Sequence, residues 1–265
     1  MNRKIVAIGG GENGRMTDEG SRLPYETAPM DEEIIRLTGE KQPNFLMLAH
    51  ASPLERQQGY FETMRDIYGG RYGCNCRILK SDELTDQQKV HELLDWADII
   101  YEGGGNTLDM IALWKETGFN KALQNAWEQG KVMCGLSAGA NCWFESCSTA
   151  SLKKFGDDQP LTIMDCLGFL QGMFVPHCDE KGRQEDVKEQ LKGKDIVAIQ
   201  MSNCAALEVI DDTYRVLVSD ASYHGIEAYG LRTFWRNGQY IVERLPIQTD
   251  YRPLDELYDV TQPLN

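Results

Sequence analysis

The sequence predicts an α/β fold: a mainly parallel sheet with helices on both faces, followed by antiparallel strands near the C-terminus. Short apolar runs alternate with helical patterns through the first half of the chain, and several of these runs end in glycine-rich turns. That alternation is typical of βαβ units, whose right-handed crossovers place helices on the two faces of a sheet. The chain has 265 residues, enough to bury a large core. We expect a single domain over residues 1–265.

Five apolar runs in the first half are predicted strands, because each is short and is bounded by a turn or a helical pattern. They are residues 4–8, 44–49, 76–79, 97–101 and 132–135. The helices predicted between them are residues 33–37, 54–67, 87–96, 108–113 and 119–128. Ligands of such sheets bind at the carboxyl ends of the strands. The turns at residues 9–11, 103–105 and 137 lie at such ends, so we expect them to share one edge of the sheet.

Beyond Ser151 the alternation loosens, and the predicted strands follow one another with few helices between them. These strands are residues 174–175, 196–201, 206–210, 215–218, 230–235 and 240–244. Asn237-Gly238, between the last two, is a strong hairpin turn sequence. We therefore expect this tail to form an antiparallel extension of the same domain.

The chain carries 41 acidic and 27 basic residues, a net charge of −14. This charge argues against nucleic acid or an anionic membrane surface as a partner. The N-terminus has no signal-peptide core, and no run approaches the ~20 apolar residues of a membrane helix. We therefore expect a cytoplasmic location. Eight cysteines occur without a Cys-x-x-Cys pair, so we expect reduced thiols and no metal site.

A nucleophile elbow is predicted at Gly135-Leu136-Ser137-Ala138-Gly139, directly after the apolar run 132–134. Glycines on both sides of the serine let the chain turn sharply from strand to helix without Cβ clashes, and this turn lifts the hydroxyl out of the sheet. The pattern alone is also found in ordinary turns. A serine is a poor nucleophile unless a base accepts its proton, so the elbow requires a histidine elsewhere.

Of the four histidines, His177 is the best candidate for that base, because it directly follows a predicted strand. His50 ends a strand at the favoured edge and could line the same pocket. His91 lies among charged residues of a helix, so we expect it on the surface. His224 is expected to be a structural or solvated residue of a turn.

An oxyanion intermediate also needs N–H donors. The N–H of Ala138 follows the nucleophile, and glycines 103–105 form a second turn from which we favour Gly104. Asn106 can cap the helix after that turn. The glycines at 9–11 resemble a dinucleotide loop only superficially, because no acidic ribose partner can be placed after the next strand. We therefore expect no organic cofactor.

Three segments in this order, 103–107, 135–140 and Val175-Pro176-His177, resemble the serine peptidase family of dipeptidase E, with cyanophycinase as a more distant relative. The resemblance runs to about Asp211. It implies a class I glutamine amidotransferase-like fold, which is a flavodoxin-like three-layer sandwich. It also implies that Ser137 is the nucleophile and His177 the general base. The amidotransferases carry cysteine at the elbow, so serine argues against glutaminase chemistry.

The third catalytic position departs from this family, which usually has an acid after the strand corresponding to 196–201. The matching residue here is Asn203. An amide can orient the imidazole through its oxygen but cannot stabilise an imidazolium by charge. Asp179 and Glu208 are candidate substitutes, and the sequence leaves the choice among the three open.

The resemblance implies cleavage of short peptides through an acyl-enzyme. Because the dipeptidase prefers an N-terminal aspartate, a cation should meet the substrate carboxylate, and Arg183 is the nearest candidate. We also expect Asn106 to contact substrate. Two alternatives remain: a binding or regulatory protein whose machinery is weakened at 203, and an amidase or esterase of non-peptide substrates. The expected partner is a small peptide, with the chain a monomer or homodimer.

Overall fold

The computed structural model describes residues 2–17, 19–156, 159–220, 225 and 227–264. Within these residues the strands form an eight-stranded sheet, in the order β14-β11-β10-β1-β5-β4-β2-β3, and a six-stranded sheet, in the order β13-β12-β9-β8-β6-β7. The strands are β1 Lys4–Ile8, β2 Asn44–Met47, β3 Asn75–Ile78, β4 Ile99–Glu102, β5 Val132–Leu136, β6 Phe144–Thr149, β7 Thr162–Asp165, β8 Leu170–Pro176, β9 Ala198–Met201, β10 Ala205–Ile210, β11 Thr213–Val218, β12 Gly230–Arg236, β13 Gln239–Arg244 and β14 Arg252–Pro253.

The helices connect these strands. The side chain of Asn106 accepts the N–H of Asp109 at the start of α4, and an αL residue, Gly118, separates α4 from α5. A π-helical turn, Asp66–Arg71, extends α2. The helices are α1 Ala28–Thr38, α2 Leu54–Arg65, α3 Gln87–Trp96, α4 Thr107–Thr117, α5 Phe119–Glu128, α6 Ala138–Asn141 and α7 Arg183–Gln190.

The parallel part of the large sheet is covered on both faces, as predicted. Alternate residues of β1 point to opposite sides: Ile5 belongs to one core cluster and Val6 to the other. The first cluster packs beneath α3, α4 and α5, and the second beneath α1 and α2. Helices on both faces of a mainly parallel sheet confirm the predicted α/β class.

The C-terminal tail is divided between two sheets instead of extending one. Strands β10 and β11 add to β1 as antiparallel neighbours, whereas the hairpin of β12 and β13 joins β9 in the smaller sheet. That smaller sheet begins with β6 and β7, which the sequence analysis did not predict because their polar residues interrupt the apolar pattern. Its core strands β6, β8 and β9 are parallel.

The residues between β9 and β10 cross from the small sheet to the large one. The N–H of Gly9 donates to Ala205 O over 2.8 Å, and the N–H of Cys204 donates to Gly10 O over 2.9 Å. The end of β1 is thus bound to the crossing segment. None of the helices described is long and apolar enough to span a bilayer.

Candidate active site

Ser137 stands at the end of β5 with an unusual backbone. Its φ of 57° and ψ of −109° are conformations that residues with a Cβ rarely adopt. The strain is held by its neighbours: the N–H of Ser137 donates to Ile8 O over 3.0 Å, and its carbonyl accepts from Asn141. Local strain of this kind concentrates at functional sites.

The two glycines of the elbow are required by space. Neither Gly135 nor Gly139 is among the residues with positive φ, so the sharp turn is made by the serine itself. A Cβ on either glycine would come within 3.0 Å of the carbonyl oxygen of Glu102. Glycine therefore allows the end of β4 to lie against the elbow, which confirms that glycine stands here to avoid Cβ clashes.

His177 reaches Ser137 from the smaller sheet. It directly follows β8 and has a φ of 99°. Its Nε2 lies 2.8 Å from Ser137 Oγ, which is hydrogen-bonding distance. The structure thus brings together two residues that are 40 positions apart in sequence.

Asn203 lies on the other side of the imidazole. Strands β8 and β9 are parallel neighbours with Pro176 opposite Met201, so the residues just beyond them meet at one edge. Asn203 Oδ1 is 3.0 Å from His177 Nδ1. Gly10 packs on this pair so closely that a Cβ there would lie less than 3.0 Å from both Asn203 Oδ1 and His177 Nδ1.

The two alternative acids lie elsewhere. Glu208 is fully buried in β10, where it accepts from Arg215 Nε over 2.5 Å and from the hydroxyl of Tyr251. Asp179 contacts Asn203. The amide is therefore the group that meets the second nitrogen of His177.

The glycine turn after β4 lies beside the serine. A Cβ on Gly104 would be 3.6 Å from Ser137 Cβ, an ordinary contact. The N–H of Gly104 donates to the hydroxyl of Tyr60 over 3.3 Å. Ala138 begins α6, and the first N–H of a helix has no acceptor within the helix.

The carboxylate of Glu102 holds this turn by accepting backbone hydrogen bonds, a role that the sequence pattern did not predict. Its buried carboxylate accepts the N–H groups of His50, Ala51 and Gly103 over 3.0 to 3.2 Å. Burial raises its pKa to about 8, although these three donors act in the opposite direction. The available sequence signal was a single charged residue closing an apolar run.

A cleft of about 180 Å³ opens over Ser137 and His177. Arg183 lines it as the first residue of α7, with its side chain 11% exposed and Nη2 donating to Glu180 over 3.0 Å. Asn106 lines it too, although its amide already accepts from Asp109 and donates to Ser151 O over 3.2 Å. A larger groove of about 640 Å³, along residues 13–25 and α2, is lined by neither Ser137 nor His177.

Two residues that line the cleft, Asn141 and Ser148, have buried side-chain oxygens, Oδ1 and Oγ, without a hydrogen-bond partner among the described residues. Unpaired polar atoms are uncommon in folded proteins and require an explanation. The residues that the structure describes contain no group of three or more His, Cys, Asp or Glu residues that could hold a metal ion.

The remaining histidines are separate from this cleft. His50 is buried, accepts from Trp114 Nε1 over 2.8 Å and lies 2.8 Å from Leu79 O, so it is a structural residue and the expectation that it lines the pocket was wrong. Burial lowers its pKa to about 4. His91 is exposed beside Asp95, as expected. His224 lies outside the described residues.

The pH dependence of activity is expected to follow His177, which must be neutral to accept the serine proton. Burial lowers its pKa below 6.5, opposed by its hydrogen bond to Asn203 and by the charges of Glu180 and Asp179. We expect kcat/KM to rise with a midpoint below pH 6.5 and then to stay level. Rates from about pH 4 to about pH 8, with circular dichroism at each pH to detect unfolding, test this. A midpoint above 6.5 in folded protein contradicts it.

A strained serine at the end of a parallel strand, paired with an imidazole, defines a hydrolase with a serine nucleophile. The sequence model of the family described as peptidase family S51 matches residues 5–217 of this chain. The chain belongs to peptidase family S51, and it is a serine peptidase.

Two relatives agree with this assignment. The uncharacterized peptidase YgaJ of Bacillus subtilis (strain 168) is 31% identical over 251 residues, which are 94% of this chain and 99% of that protein. Peptidase E of Streptomyces coelicolor is 28% identical over 159 residues, covering 53% of this chain and 63% of that protein.

Solved structures share the fold. A peptidase from an acI-B1 Actinobacterium superposes with a TM-score of 0.68 at 18% identity, covering 94% of this chain and 96% of that chain. A peptidase E protein of Listeria monocytogenes EGD-e superposes with a TM-score of 0.56 at 17% identity, covering 93% and 100%. At these identities the likeness shows the fold alone.

Proposed function

We propose that this serine peptidase hydrolyses short peptides through an acyl-enzyme on Ser137. The observation that carries the proposal is the chain of two hydrogen bonds: Ser137 Oγ to His177 Nε2 over 2.8 Å, and His177 Nδ1 to Asn203 Oδ1 over 3.0 Å. A nucleophile within reach of a base that is itself oriented by a third group is the arrangement that activates a serine.

In the first step, Ser137 Oγ attacks the peptide carbonyl carbon while its proton moves to His177 Nε2. The tetrahedral intermediate collapses when the C–N bond breaks and His177 returns that proton to the leaving amine. A water molecule then attacks the acyl-enzyme, with His177 accepting its proton and returning it to Ser137 Oγ as the acid leaves. Asn203 keeps the imidazole in place through both steps.

The developing oxyanion is proposed to accept from Ala138 N–H and Gly104 N–H. In the free protein Gly104 donates to the hydroxyl of Tyr60 over 3.3 Å, a long hydrogen bond. Substrate would therefore take the place of that hydroxyl as acceptor. During this exchange of acceptors, the three hydrogen bonds that Glu102 accepts from backbone N–H groups hold the turn in position.

The small size of the cleft favours a short substrate. Its volume of about 180 Å³ is below the ~300–1,000 Å³ that is usual for sites of drug-sized ligands. It therefore suits one or two small residues better than a folded chain. Arg183, which lines the cleft, offers a cation for a substrate carboxylate.

Replacing Arg183 with alanine is expected to raise KM about 10- to 100-fold for peptides that carry an acidic residue, because an Arg–carboxylate pair is lost. A neutral dipeptide of similar size should be little affected. Steady-state kinetics on the two substrates measure the difference, and Lys181→Ala is the matched control because it removes an exposed cation of the same loop. Because both dipeptides carry a C-terminal carboxylate, an equal loss on both would refute recognition of the side-chain carboxylate by Arg183.

We also propose a cytoplasmic location. All eight cysteines are free, and the sulfur atoms of Cys147 and Cys166 lie 3.6 Å apart without a bond between them. Thiols this close persist most readily in a reducing compartment.

The direct test is a panel of dipeptides, acyl amides and esters assayed with the purified protein, together with fluorophosphonate labelling. Labelling at Ser137 and turnover of dipeptides are the expected results. Turnover of amides or esters in place of dipeptides would assign a non-peptide substrate. Absence of both labelling and turnover would indicate a binding protein on the same scaffold.

A further inference from the structure

Asp179 holds the side chain and the backbone of Asn203 at once. Its Oδ1 accepts the backbone N–H of Asn203 over 2.8 Å, and its Oδ2 accepts from Asn203 Nδ2 over 2.9 Å. Both carboxylate oxygens therefore contact one residue. Paired bonds of this kind restrict orientation more than a single bond does.

This contact determines where the protons of the neighbouring groups lie. An ionised carboxylate can only accept, so the NH₂ group of Asn203 must face Asp179 and its oxygen must face His177. Because that oxygen can only accept, the proton of the neutral imidazole must be on Nδ1. Nε2 then carries the lone pair that faces the hydroxyl of Ser137. This is the tautomer that a general base requires.

We propose that Asp179 is a positioning residue that acts through Asn203: it sets the tautomer of His177 and supplies the negative charge that the amide lacks. The inference rests on the proposed role of Ser137 as nucleophile. It replaces the three-membered arrangement expected from the sequence with a series of four, Ser137, His177, Asn203 and Asp179.

The second part of this role, the supply of negative charge, follows from electrostatics. When His177 accepts the serine proton it becomes a cation, and a nearby carboxylate stabilises that cation more strongly in a partly buried site than in water. The other charged groups that face His177 are Glu180, whose Oε1 is 3.9 Å from Nδ1, and Arg183, which opposes the cation. Of the two carboxylates, Asp179 is the one bonded to Asn203.

The test uses fluorophosphonate labelling of the full-length chain, because the labelling rate reports activation of the serine whatever the natural substrate is. We expect Asp179→Asn to label about 10- to 100-fold more slowly, the range found when an outer partner of a metal-bound histidine is removed. The pH midpoint of labelling should also fall, since a charge that favours the imidazolium is gone. A purely structural role would leave that midpoint unchanged.

Exchanging the two side chains gives a second, independent measurement. Asn203→Asp alone places two carboxylates in contact, so we expect slow labelling. The double variant Asn203→Asp/Asp179→Asn restores one carboxylate and one amide, with the carboxylate now next to His177. We expect it to label at least 10-fold faster than either single variant. A double variant no faster than the singles contradicts the proposal even if the singles are unstable.

Asp186→Asn is the matched control, because Asp186 is an exposed acid of α7. It should label within about 2-fold of the wild type. If the wild type itself is not labelled above the Ser137→Ala background, the proposed function fails. If the wild type is labelled and Asp179→Asn matches it in rate and pH midpoint, only the role of Asp179 is refuted.

Discussion

Ser137→Ala is expected to reduce peptide hydrolysis by about 10⁴-fold or more, because removal of a serine nucleophile costs on the order of 10⁶ in kcat in the best-studied proteases. The fold should persist. The hydroxyl contacts His177, and His177 keeps its second hydrogen bond to Asn203 when the hydroxyl is gone. Alanine also accepts the same strained backbone about as well as serine does. We expect a stability change within about 1 kcal/mol.

The measurement is kcat/KM on the best dipeptide, together with the thermal midpoint and fluorophosphonate labelling. Ser21→Ala is the control, since Ser21 is exposed in the loop before α1. It should keep both activity and labelling. A Ser137→Ala preparation that retains wild-type turnover, with contaminating peptidases excluded by a mock purification, would refute Ser137 as the nucleophile.

Gly10→Ala is expected to reduce kcat by about 10²-fold or more although Gly10 does not line the cleft. The added methyl would overlap Asn203 Oδ1 and His177 Nδ1, so the bond between them must lengthen or rotate. A misplacement of about 1 Å in a catalytic group can cost on the order of 10² in rate. Overpacking of this kind also costs about 1–3 kcal/mol of stability.

Gly59→Ala is the matched substitution, because Gly59 is in helix α2 and a Cβ there meets nothing within 4 Å. It should leave activity unchanged and raise stability by about 0.5–1 kcal/mol, since alanine is the better helix former. The comparison uses kcat, KM and denaturant unfolding for both variants. Wild-type kcat in Gly10→Ala would mean that the contact between His177 and Asn203 is not needed for turnover.

The elbow shows how far local pattern reaches. An apolar run followed by glycine, serine and glycine was sufficient to predict the end of β5 to within one residue and the position of Ser137 at the turn after it. The pattern also indicated why glycine is needed, to avoid Cβ clashes, but not that the clash would be with the backbone of Glu102. Strands β4 and β5 are distant in sequence, so their contact at the elbow cannot be predicted from the pattern of consecutive residues.

The third member of the site shows the same limit. From the sequence, Asn203 held the matching position and Asp179 and Glu208 were candidate substitutes, and the choice among the three stayed open. The division of the tail between two sheets decided among them, because it buries Glu208 against Arg215 and turns Asn203 toward the imidazole.

The sequence by itself determined which residues follow the strands: a serine in an elbow, a histidine directly after a strand, and glycine-rich turns. These follow from polarity, period and turn preference, which depend on neighbouring residues. The tertiary structure alone decided that Ser137 comes from one sheet and His177 with Asn203 from another, and that Asp179 stands behind the amide. The physical reason is that hydrogen bonds across 40 residues exist only once the two sheets have packed together.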